Sequence, residues 1–336
     1  MSAFMITGLL GACGNDGESD SKANADSKET SKKDSSKVYS GAELEKYNVY
    51  VNLSNAINTE FNGALNDYYQ AFADENGKFK KPTDTNSLYV SEPIQTTAAI
   101  DDIKKFIDKS PSFPMDKEAN KLIKDVANEV EILSELKTYY ESNSYVDDDF
   151  KKAETLHNKL LETVDETNKE VSSFNEKMDK VINKQQEAAA KEMKDSGKIT
   201  LYRLNDFITQ TENLITELQS QEINAANVLE LDVPAFQKKY DEFAKSYDAL
   251  IKASKDKKQL KKEDLTESDL TFILPVATKA KADASALVDR VNKKEAIDQT
   301  SLQNISSGIN VDGTPEKLMT TYNDLVNNYN SFINLH

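Results

Sequence analysis

Beyond Gly41, apolar side chains recur at alternating steps of three and four, the spacing that lines one face of an α-helix. Leu44, Tyr47, Val51, Ser54, Asn58, Phe61, Leu65, Tyr68 and Phe72 form one seam, read as a single helix that stops at Asp74-Glu75-Asn76-Gly77. Ser91-Glu92-Pro93 reads as an N-cap with an early proline, opening a short helix through Ile94, Ile103 and Phe106 that Pro111 and Pro114 close. A third helix spans about Asp116 to Ser142. The fourth is the longest: Phe150, Ala153, His157, Leu160, Val164, Thr167, Val171, Phe174, Met178, Val181, Gln185 and Ala188 keep a heptad spacing throughout. Four more follow, on Leu201 to Leu218, Phe236 to Leu250, Leu270 to Val291 and Leu318 to Phe332, with Pro275 as a kink or boundary.

No alternation of period two is long enough to compete with this reading. Ten Gly and seven Pro in 336 residues also disfavour a turn-rich sandwich or barrel. The expected fold is all-α: an antiparallel bundle of eight helical segments forming one domain over residues 41–336. A fourth helix of some 45 residues is about 67 Å long, so the bundle is expected to be elongated.

The first and last helices echo each other. Tyr47-Asn48, Val51-Asn52 and Asn55 match Tyr322-Asn323, Val326-Asn327 and Asn330 position for position, with Asn58, Asn62, Asn66 and Asn334 extending the rows. Asparagines at steps of four and three share a helix face. Three readings stay open: an amide layer where the two ends pack together, a solvated polar face, or an amide- and tyrosine-lined groove for sugar or peptide.

Ahead of the helices the character changes. Cys13, the only cysteine, ends the run Leu9-Leu10-Gly11-Ala12-Cys13, and Gly14 to Lys37 holds no large apolar residue. An exported chain with one thiol forms no internal disulfide, so the cysteine needs another purpose. The run reads as a lipobox: residues 1–12 as a signal peptide, Cys13 as the lipidated mature terminus, and residues 13–40 as a polar tether. Residues 1–12 contain no Lys or Arg, whereas a secretory leader starts with positive charge, so the leader is expected to lack its true start. The expected location is the extracytoplasmic face of the cell membrane, with membrane lipid engaged through acylated Cys13 and an envelope protein or cell-wall component as partner.

Charge narrows the remaining partners. Forty-two basic against 58 acidic residues give −16, a field that repels polyanions and excludes nucleic acid as a natural ligand. Lys255, Lys257, Lys258, Lys261 and Lys262 make the one basic cluster, read as helix-terminal charge and loop, with contact to teichoic acid or lipid headgroups as the functional alternative. Only two histidines are present, and His157 sits on the heptad seam, where packing explains it better than base catalysis. Asp147-Asp148-Asp149 reads as helix capping rather than a cation site, and Asn310-Val311-Asp312-Gly313 lacks the later glutamate of a calcium loop. No enzyme activity, metal or cofactor is expected.

The segment from Lys46 to Leu53 with Asn55, then Phe61-Asn62, Leu65, Tyr68-Tyr69 and Phe72, resembles the opening of the YiiG-like lipoproteins, a bacterial family of unknown function. The resemblance implies an exported, membrane-tethered helical domain and carries over no catalytic residue. The functional expectation is a non-catalytic binding or scaffolding module. Its alternative is a solute- or glycan-binding lipoprotein serving a transporter or the cell wall.

Overall fold

The computed structural model describes residues 37–85, 88–109 and 111–333. The fold is all-α, and among the described residues the sole β feature is an isolated bridge between Ala73 and Phe79. The described residues form twelve α-helices: α1 (Ala42–Ala56), α2 (Asn62–Phe72), α3 (Ile94–Phe106), α4 (Asp116–Glu141), α5 (Tyr145–Asp148), α6 (Lys151–Asp195), α7 (Ile199–Ser220), α8 (Val233–Ser254), α9 (Lys257–Lys262), α10 (Leu274–Lys293), α11 (Gln299–Ser306) and α12 (Pro315–Ile333). The described residues divide into two compact units, one reaching Gln186 and the other starting at Glu187.

The long seam folds as its spacing requires. α6 runs for 45 residues, and every one of its seam positions is buried except Val164, which is half-buried. Asp148 accepts the Lys152 amide at 3.0 Å, so the acidic triplet does cap this helix, while Asp149 turns left-handed and pairs with Lys81. The helix of the first seam runs unbroken from α1 into α2 but is not α-helical throughout. A π-helical segment, Ile57–Phe61, separates α1 from α2. There the Thr59 hydroxyl takes the Asn55 carbonyl at 2.8 Å, and polar Ser54 and Asn58 occupy seam positions. A wider turn accommodates side chains that must reach a polar partner rather than interlock with apolar ones.

Ser91 does not cap α3. Pro93 stands at the N-cap position, and the cap comes from Glu60 of the π segment, whose Oε2 accepts the Thr96 amide at 2.8 Å and hydroxyl at 3.1 Å. A proline at the boundary has no amide to protect, so the orphan donors lie deeper and a carboxylate from a neighbouring helix reaches them. Pro275 lies in the first turn of α10, a boundary rather than a kink. The Lys-rich stretch forms a short helix of its own, α9, with Asp256 accepting amides of Lys258 and Gln259.

Each unit is built on four principal helices. In the second, α7 packs along α8 and on α12, and α10 closes the ring by packing on α8 and α12. In the first, α1 packs on α3 and α3 on α4, while α6 joins through Ser54–Asn175, Tyr68–His157 and Thr167–Glu129 hydrogen bonds. The seams of the first and last helices each have packing partners within their own unit.

The two rings repeat one pattern. Glu129 accepts from the Thr167 hydroxyl at 2.6 Å and Asp283 from the Thr321 hydroxyl at 2.6 Å, each pair 38 residues apart, so one constant shift carries the first pair onto the second. The same shift takes buried Tyr47, Tyr50, Leu53 and Phe61 onto buried Leu201, Leu204, Phe207 and Ile215. It also takes Ala119, Ile123, Val126, Val130 and Leu133 of α4 onto Ile273, Ala277, Ala280, Ala284 and Leu287 of α10. Side-chain identity differs while seam register is kept, because a helix–helix interface needs volume at a position more than a particular residue.

Candidate functional site

The paired tyrosines of the echo are core residues: Tyr47 and Tyr322 are both 1% exposed. Burial, followed by the charge of Glu212, pushes the Tyr322 hydroxyl well above its ordinary value. Their asparagines behave differently. Asn52 and Asn327 are exposed, whereas Asn48, Asn55, Asn323 and Asn330 are half-buried. The amide layer is therefore not formed at Asn52 and Asn327, since each points away from the apolar seam beside it. Replacing both with alanine is expected to change unfolding free energy by no more than about 0.5 kcal/mol, as urea denaturation can check.

An amide pair does form, with a different partner. Asn58 of the π segment and Asn175 of α6 exchange hydrogen bonds at 3.0 and 3.4 Å, and Ser54 donates to Asn175 at 3.0 Å. Reciprocal amides satisfy both donor and acceptor inside an interface, which a single hydroxyl cannot do. Asn58 belongs to the asparagine row visible in the sequence; Asn175 lies off the apolar seam of α6 and carries no sequence signal.

Two ionisable groups inside the first unit are held by the fold. Lys46 is 1% exposed, and its ammonium donates to the carbonyls of Ile107 (3.0 Å), Lys109 (3.0 Å) and Pro111 (3.1 Å) and to Asp116 Oδ2 (3.0 Å). Asp116 also receives the Tyr50 hydroxyl at 2.5 Å and the Phe113 amide at 2.8 Å. One cation thereby gathers the turn between α3 and α4. The sequence named Lys46 only within the Tyr-Asn helix, because carbonyl acceptors leave no trace in residue identity.

His157 is fully buried, with Nδ1 3.1 Å from the Tyr68 hydroxyl and Nε2 2.9 Å from the Gly77 carbonyl. A carbonyl only accepts, so Nε2 carries a proton and donates it to Gly77. Both ring nitrogens are engaged, and Phe79, Tyr68 and Tyr69 surround the ring. The imidazole fastens the turn after α2 to the middle of the bundle.

Polar clefts open on the surface of the first unit. One of about 500 Å³, where α4, α5 and the start of α6 meet, is lined by Ser134, Glu135, Thr138, Tyr139, Asp148 and Lys152 among others. Another of about 480 Å³ lies between α3 and α4, with Lys104, Asp108, Asn120, Lys124 and Glu131 at its walls. The first offers hydroxyls and charges of either sign, and the second offers amides and charges of either sign beside Ile107 and Ile123. Among the described residues, no group of three or more His, Cys, Asp or Glu side chains is arranged to hold a metal ion.

A model of the family described as "Protein of unknown function (DUF3829)" matches residues 41–331. The chain belongs to the DUF3829 family. No curated protein and no solved structure matches it. The DUF3829 match takes in both helical units, the Lys46 and His157 networks and both amide rows from Asn48 to Asn330. Cys13 precedes the DUF3829 region and lies outside the described residues.

Proposed function

We propose that this DUF3829 protein is a lipid-anchored lipoprotein of the extracytoplasmic membrane face, whose helical units serve as a non-catalytic binding or scaffolding module. The observation that carries the reading is Cys13 as the sole cysteine, following Leu9-Leu10-Gly11-Ala12 and preceding a polar tether up to Lys37. The resemblance of the Tyr-Asn helix to YiiG-like lipoproteins supports the same assignment. Among the described residues no helix is long and apolar enough to cross a membrane; in this reading the attachment is the lipid on Cys13.

The binding role draws support from where the polar chemistry goes. Lys46, Asp116 and His157 are spent on fastening turns to the bundle, while hydroxyls and charges line open clefts. The alternative of a solute- or glycan-binding lipoprotein draws on the same hydroxyl-lined cleft. In cells, Cys13→Ala is expected to move the protein from salt-washed membranes to the soluble fraction and to abolish incorporation of labelled fatty acid. Unchanged membrane retention with no label in the parent protein would refute the anchor.

A further inference from the structure

One end of the second unit presents an apolar tip beside exposed lysines. The connection from α8 to α10 is held firmly: Leu260, Leu265, Leu270 and Ile273 are each at most 4% exposed. Glu263 accepts the amides of Thr200 and Leu201 at 2.7 and 3.1 Å, and Asp269 accepts the Thr266 amide at 2.7 Å. From this fixed frame Phe272 projects with 79% of its surface exposed, next to exposed Pro275 and half-buried Leu274. Because Leu270 and Ile273 are locked inward on either side, the ring has no route into the core. Phe272, Pro275 and the exposed part of Leu274 thus make a small apolar patch on a rigid base, and it is the lysines beside it that set it apart.

The charges around it are unequally available. Residues 255–273 contain five lysines and five acids. Asp256, Glu263 and Asp269 accept backbone amides, and Glu267 pairs with Lys257 at 3.4 Å. Lys255, Lys258, Lys261 and Lys262 are exposed and make no ion pair among the described residues, which leaves Asp264 as the one acid there with neither kind of bond shown. We infer that this tip is a contact site for an anionic phospholipid surface. The four lysines meet headgroup phosphates, and Phe272 with Pro275 enters the boundary between headgroups and acyl chains. A soluble polyanion would engage the lysines alone and leave the aromatic wedge idle, whereas a lipid surface uses both. The net charge of −16 repels such a surface elsewhere, so contact is confined to this end.

The inference rests on the membrane-bound reading for its setting, but its test does not use the anchor. Full-length, unlipidated protein carrying Cys13→Ala is mixed with vesicles rich in phosphatidylglycerol or made of phosphatidylcholine alone, and bound protein is measured by co-sedimentation at low ionic strength. Binding to the anionic vesicles is expected to exceed that to the neutral ones. Adding Lys258→Ala and Lys262→Ala should weaken it roughly thirtyfold, and adding Phe272→Ser instead about tenfold, with melting temperatures unchanged. No binding by the parent, or equal binding by the Phe272→Ser protein, overturns the proposal. So does full displacement by soluble polyphosphate with no effect of Phe272, which would mark a polyanion site. Any of these failures leaves the dependence of fractionation on Cys13 untouched.

Discussion

Replacing Lys46 with methionine is expected to destabilise the protein by about 3–5 kcal/mol, the usual cost of removing one partner from a buried ion pair. Methionine fills similar volume, so the loss is electrostatic rather than a cavity. The three carbonyls of Ile107, Lys109 and Pro111 lose their shared donor, and Asp116 keeps only Tyr50 and Phe113 against its charge. For a chain of this size the melting temperature should fall by roughly 10 °C. Amide exchange between Ile107 and Phe113 should rise before the rest of the unit opens, because this turn is held chiefly from one atom. Adding Asp116→Asn to Lys46→Met should recover part of the loss, since the stranded charge is then neutral. A cost under about 1 kcal/mol, with no recovery in the double variant, would show that the network does not hold the turn.

How much of this was legible in the sequence depends on whether a feature lives in spacing or in partners. The α6 seam was readable because twelve positions at heptad spacing leave one consistent face, and only Val164 falls short of full burial. The π segment was not, because one wide turn keeps the same alternation of threes and fours; polar Ser54 and Asn58 inside the seam were the available hint. The ends of the chain illustrate the opposite error. Matching residue types linked α1 to α12 through Tyr and Asn, whereas matching burial links α1 to α7, where Tyr47 corresponds to Leu201 and Ile57 to Thr211. Packing conserves register and volume, so an echo of side-chain identity is a poor guide to which helices play the same part. Short α5, α9 and α11 escaped because a few residues carry too little periodicity.

The candidate site divides along the same line. Residues that sequence singled out for chemistry prove to be occupied by architecture: His157 by a turn carbonyl, Asp148 by a helix terminus, Asn310 by the Thr320 hydroxyl. Residues that do face solvent in a defined way, Phe272 above all, carry no motif. A fold that uses its buried polar groups to fasten its own turns leaves the binding role proposed above to its surface: the clefts, the Phe272 tip and the exposed Asn52 and Asn327.

Glu129→Gln is expected to stabilise the protein at neutral and alkaline pH, by about 1–2 kcal/mol, and to leave it unchanged in acid. The Glu129 side chain is fully buried; Oε1 accepts from Thr167 at 2.6 Å and Oε2 has no hydrogen-bond partner. Burial raises its carboxyl above the ordinary glutamate range, outweighing the hydroxyls of Thr167 and Thr163, and Asp125 one turn earlier adds to the rise. Tyr69 faces the same interior from α2, its hydroxyl pushed up to about 12 by burial and by the charges of Glu129 and Asp165. A carboxyl whose folded value is raised holds its proton in the native state after the unfolded chain has released it. Its contribution is therefore fully present below the unfolded glutamate value, near pH 4.3, and is lost as pH climbs through the folded value. Glutamine keeps the acceptor for Thr167 and never ionises, so the difference between the two proteins should grow with pH and then level off. Urea denaturation across that range reads the difference directly. Parallel curves at every pH would mean that Glu129 is as well solvated in the native state as in the unfolded chain, contrary to its place between α4 and α6.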